Sequence, residues 1–163
     1  MARTFTAALL LALCGCGDGS PGPGAQQCAY SGALLGQLPC REASAVWTAA
    51  PGTTLLRVLS INTPSPILTA EFTWAGEPAV GKYVGGAEGA SCSITLYDAS
   101  TQASWYASNL PSNANGTCEL TLSSVRKGAD DGGTRSYELH GTIVASLGAV
   151  DQSTSSIGLH GGF

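Results

Sequence analysis

Along this 163-residue chain apolar side chains return at every second position, in run after run, and no useful length repeats them at helical spacing. That alternation constrains the fold more than any other feature. A strand with one dry and one wet face must lie on a second apolar sheet. Leu68, Ala70, Phe72 and Trp74 share one face, with Thr69, Glu71 and Thr73 on the other, and Gly76-Glu77-Pro78 ends the run. Cys92, Ile94 and Leu96 alternate with Ser91, Ser93, Thr95 and Tyr97, and Cys118, Leu120 and Leu122 alternate with Glu119, Thr121 and Ser123. A longer strand carries Tyr137, Leu139, Gly141, Ile143, Ala145 and Leu147, and a last one carries Ile157, Leu159, Gly161 and Phe163. Ala43–Ala49 and Thr54–Ile61 are weaker strands, the second with Arg57 interrupting its apolar face. Lys127–Thr134, with Asp130-Asp131-Gly132-Gly133 at its heart, has the composition of a hairpin loop. The expected fold is all-β: an antiparallel β-sandwich (or barrel) of seven to eight short strands over residues 28–163, about one domain's worth of chain.

Four cysteines, Cys28, Cys40, Cys92 and Cys118, lie in this region. Four allow two disulfides with three connectivities. Local pairing, Cys28–Cys40 and Cys92–Cys118, is the expected one and would contribute about 3 and 3.5 kcal/mol on the loop-entropy model. Cys92 and Cys118 each start a strand, so a simple hairpin would hold them on the order of 13 Å or more apart. Gln102–Ser108 is therefore expected to intervene as a strand, making the two cysteine strands co-directional and letting the bond bridge two facing sheets. The spacing speaks against a four-cysteine zinc site, since no two of the four are closer than twelve positions.

Charged residues are 11% of the chain and the formal net charge is −4. Only six basic residues follow Arg3, so neither nucleic acid nor anionic headgroups find an electrostatic footprint. No cofactor is implied.

The amino terminus carries a separate signal. Arg3 precedes the short apolar run Phe5–Leu13, and Leu13-Cys14-Gly15-Cys16 follows. This resembles a bacterial lipoprotein export signal with its lipobox. The resemblance implies that residues 1–15 are a signal peptide, cleaved between Gly15 and Cys16, and that Cys16 is lipidated. With each buried methylene contributing about 0.8 kcal/mol, two or three acyl chains hold a protein permanently at a bilayer. Gly17 after the cysteine implies the outer membrane of a diderm envelope. Residues 16–27 then read as the lipidated cysteine and a flexible Gly/Pro tether, whose eleven residues after Cys16 reach roughly 35–40 Å extended. At the other end, Leu139–Leu147 followed by Ile157–Phe163 is similar to the closing hairpins of small exported β lipoproteins of unassigned function.

Candidate chemistry is sparse. His140 and His160 would fall nearly opposite each other around a turn near Val150, with Glu138 beside them, a weak metal candidate. No Gly-x-Ser-x-Gly elbow or catalytic constellation accompanies the abundant serines, which leaves a hydrolase as a remote alternative. Trp47, Trp105 and Tyr106 lie among small residues, and exposed flat rings of this kind stack on sugars or peptide groups. The expected function is a non-catalytic, membrane-anchored envelope lipoprotein with a structural or protein-contact role. The alternative is a glycan or small-ligand binding module using those three aromatics.

Overall fold

In the computed structural model, residues 26–40, 42–61, 66–87, 89–110, 114–151 and 153–163 are described. The stretch expected to be a signal peptide, Cys14, Cys16 and the expected tether up to residue 25 lie outside them. The described residues form an all-β, antiparallel fold of eleven strands. In chain order these are β1 (Gln27–Gly32), β2 (Gly36–Pro39), β3 (Glu42–Thr48), β4 (Thr53–Ile61), β5 (Ile67–Ala75), β6 (Gly81–Val84), β7 (Ser91–Asp98), β8 (Ala103–Ser108), β9 (Thr117–Asp130), β10 (Thr134–Ala149) and β11 (Ser156–Gly162).

Alternation translates directly into burial. Leu68, Ala70, Phe72 and Trp74 on β5 point inward, as do Cys92, Ile94 and Leu96 on β7 and Cys118, Leu120 and Leu122 on β9. Every second residue of β10 from Tyr137 to Leu147 is buried, and β11 supplies Ile157, Leu159 and Gly161. On β4 the inward residues are Thr54, Leu56 and Val58, so Arg57 interrupts nothing. It lies on the outer face, 2.6 Å from Glu71 of the neighbouring strand.

The eleven strands hydrogen-bond into one continuous sheet that folds over on itself as two facing halves, called the two sheets below. One runs β6-β9-β10-β11-β1-β2 and the other β3-β4-β5-β7-β8. β10 belongs to both. Its first residues, Thr134–Tyr137, pair with β3, and its last, Gly148 and Ala149, pair with β8. A strand of 16 residues is roughly 50 Å long, enough to cross the sandwich diagonally and close it at two corners. Sandwich and barrel are thus both apt descriptions. Where β10 changes partners, its register with β9 shifts between His140 and Gly141. A side chain at Gly141 would strike the Thr121 carbonyl, so glycine lets the two strands stay in contact through the irregularity.

The count exceeds the expected seven to eight strands because β1, β2 and β6 are short and broken by Gly and Pro, which hides their alternation. The hairpin loop is also tighter than Lys127–Thr134. β9 runs on to Asp130, and only Asp131, Gly132 and Gly133 turn the chain, closed by an Asp131 N–H to Thr134 carbonyl bond of 3.1 Å.

Both disulfides take the local pairing. Cys28–Cys40, with Cα atoms 5.6 Å apart, staples the β1–β2 hairpin, and Cys92–Cys118, at 6.5 Å, joins β7 to β9. β7 and β9 are not hydrogen-bonded neighbours, so the second bond ties one sheet to the other. Gln102–Ser108 does hold the intervening strand, but the cysteine strands are not co-directional. β8 and β9 are both antiparallel to β10 and follow one another along its edge, which leaves β9 antiparallel to β7. The cysteines meet because Ser108, at the end of β8, pairs with Ser93 beside Cys92 and bridges to Asn115 just before Cys118.

Candidate functional site

The three aromatics singled out above do not share a surface. Trp105 points inward and is buried, its indole N–H donating to the Ser155 hydroxyl at 3.3 Å. Trp47 pairs with Arg135 at one end of β10, whereas Trp105 pairs with Ala149 at the other. Strand alternation then sends Tyr106 outward, the opposite way from its neighbour. One platform of Trp47, Trp105 and Tyr106 is therefore not formed.

The histidine pair is also separated. β10 and β11 are joined by residues 150–155, a wider connection than a tight turn at Val150, and the register slides accordingly. His160 stands opposite Val144, four positions along β10 from His140 and hence roughly 13 Å away. His140 and Glu138 share the outer face, with Nε2 and Oε1 3.9 Å apart, while Glu138 also faces Arg126. Among the described residues, no group of three or more His, Cys, Asp or Glu is placed to hold a metal ion.

The densest polar cluster lies at the Trp47 end of the sandwich. Arg135 sits 5.5 Å from the Trp47 ring centroid and binds both Asp130 and Glu77, the latter at 2.6 Å. Glu77 also accepts from the Tyr137 hydroxyl at 2.6 Å and lies 3.1 Å from Lys127. These bonds fasten the Gly76–Val80 loop to the β9–β10 hairpin. They hold the Glu77 carboxyl below its ordinary range, with the Tyr137 hydrogen bond the largest cause and Lys127 next. Asp130 is lowered by Arg135 and by the Gly132 N–H. Tyr137 is pushed up, first by burial and then by its bond to Glu77. Every charge here is answered, so the cluster reads as a latch. Sequence spacing gave no sign of it, since Glu77 and Tyr137 are 60 positions apart.

A groove of about 500 Å³ lies on the outer face of β10, β11 and β1. Ala29, Ser31 and Gly158 line it as small residues, and Leu35 and Val144 add exposed apolar surface. His160 lines it together with Tyr30. Its volume falls in the range of small-ligand sites. Alternation on β10 and β11 foretold that Val144, Gly158 and His160 face outward, whereas the β1 and β2 side was not foreseen; there Ser31 stands opposite Gly158.

Compared with known protein families, with curated proteins and with solved structures, the chain matches none.

Proposed function

We propose that the protein is a lipid-anchored component of a bacterial cell envelope, held at the membrane through Cys16, and that it acts by contact with another envelope component and not by turnover. The observation that carries this reading is the pair of disulfides. All four cysteines are at most 5% exposed, and two buried disulfides persist in oxidising, exported compartments. That is where a leader resembling a lipoprotein signal sends its chain. A cross-linked sandwich behind a Gly/Pro tether suits presentation of a rigid surface close to lipid. The outer faces offer such surface in the groove around Leu35 and Val144 and in rows of Ser and Thr.

Radiolabelled palmitate fed to the producing cells tests the anchor. The parent protein is expected to take up label and to partition with membranes, and Cys16→Ser to do neither. An unlabelled parent protein refutes the placement.

A further inference from the structure

We infer that the outer face of β7 and β8 is a binding platform for a neutral saccharide, with Tyr97 and Tyr106 as its stacking rings. This deepens the contact reading by naming the partner's chemistry, and it rests on that reading only for where the partner is met.

The platform follows from register. Outward positions on β7 are Ser91, Ser93, Thr95 and Tyr97, and on β8 they include Ser104 and Tyr106. Thr95 stands opposite Tyr106 and Tyr97 opposite Ser104, so the two tyrosines are diagonal neighbours on one face, about 7–8 Å apart along the backbone. Both are partly exposed. On the β5 side Thr69 stands opposite Thr95. On the β10 side Tyr106 meets Gly148, and the Asn115 amide fills the space that a side chain at Gly148 would need. The same amide donates to the Tyr106 carbonyl at 3.4 Å.

Two phenol rings are thus framed by the hydroxyls of Thr69, Thr95 and Ser104 and by one amide, with no ionised side chain among them. Asp98, next along β7 from Tyr97, is buried and bound by the Ser100 and Thr101 hydroxyls, and on the outer face Arg57 and Glu71 neutralise each other at 2.6 Å. Such a face complements a partner that is itself uncharged, with flat C–H surfaces for the rings and hydroxyls for the rim. A sugar ring combines the two. A polyanion finds no cation to pair with, and an apolar peptide would bury the rim hydroxyls without partners. The groove around Leu35 lies on the other sheet, and its one phenol ring, Tyr30, is buried, so it offers no pair of open rings.

The test uses the full chain in detergent, titrated with cellohexaose, maltohexaose and N-acetylchitohexaose, and with a heparin hexasaccharide as the charged probe. At least one neutral hexasaccharide is expected to bind and to shift the ring resonances of Tyr97 and Tyr106 in ¹³C-tyrosine-labelled protein. Tyr97→Ala and Tyr106→Ala should each weaken binding about tenfold, the equivalent of about 1.4 kcal/mol. Tyr106→Phe should stay within about threefold, because the ring remains, and Leu35→Ala should change nothing. The ring shifts read the parent protein, so the outcome does not depend on the alanine variants folding. The platform is overturned if no neutral hexasaccharide binds, if heparin binds in preference, if the ring resonances stay put, or if Leu35→Ala abolishes binding. Uptake of palmitate plays no part in this assay. A labelled protein that binds no sugar therefore refutes the platform alone, and an unlabelled one that binds refutes the anchor alone.

Discussion

Removing the Cys92–Cys118 bond by the double substitution Cys92→Ala/Cys118→Ala is the most informative perturbation of the fold. The bond closes a loop with a sequence separation of 26, and loop-closure entropy assigns it about 3.5 kcal/mol. The Cys28–Cys40 bond, with a separation of 12, comes to about 3 kcal/mol on the same relation. The two values are close, yet the bonds differ in what they hold. Cys28–Cys40 reinforces a hairpin whose strands are already hydrogen-bonded. Cys92–Cys118 joins strands of different sheets that share no hydrogen bonds. Urea unfolding of the two double variants, followed by tryptophan fluorescence and by far-ultraviolet circular dichroism, reads the loss directly. For a domain of this size, 3.5 kcal/mol corresponds to a drop in Tm of roughly 10–14 °C. Hydrogen exchange should show opening of β6 and β9 in the Cys92/Cys118 variant and of β2 in the other. A loss below about 1 kcal/mol for the inter-sheet bond, with β9 protection intact, would refute the view that it ties the two sheets.

Two further outcomes follow from packing and charge. A side chain at Gly161 would collide with the Cys28 sulfur, so Gly161→Ala should destabilise by about 1–3 kcal/mol in urea, and markedly less once Cys28 and Cys40 are replaced. The carboxyls of Glu77 and Asp130 are lowered in the folded protein, so their stabilising contribution is present above the ordinary carboxylate pKa near 4 and drains away as pH falls below it. Thermal melts from pH 7 to pH 2 should show this loss on the acid side, and Glu77→Gln should flatten it; an unchanged acid slope in that variant would refute the latch.

Much of the architecture was legible because burial on one face writes period two into a strand. The inward residues of β5, β7, β9, β10 and β11 could be named one by one from the alternation. Arg57 misled because the apolar Leu55 outside and the polar Thr54 inside blur which face of β4 is dry. Thr54 is tolerated in the interior since its hydroxyl donates to the Gly76 carbonyl at 2.6 Å, a bond to a residue 22 positions away. Register was the harder quantity. Two positions of slack in the connection after β10 parted His140 from His160, and a one-residue alternation placed Trp105 inside and Tyr106 outside. Conversely, Tyr97 and Tyr106 come together only through the β7–β8 pairing, and Glu77 joins Tyr137 only through the closed topology. Neither is visible in a linear reading.

The first strand hydrogen-bonds on one side to the last strand of the chain and on the other to its own hairpin partner, and its second residue, Cys28, is covalently fastened. A pull on the residues ahead of Gln27 therefore runs parallel to two antiparallel neighbours, loading both rows of hydrogen bonds in shear. The load reaches a covalent cross-link one residue into the fold. Mechanical force arriving at that end meets the staple before it can peel a single strand.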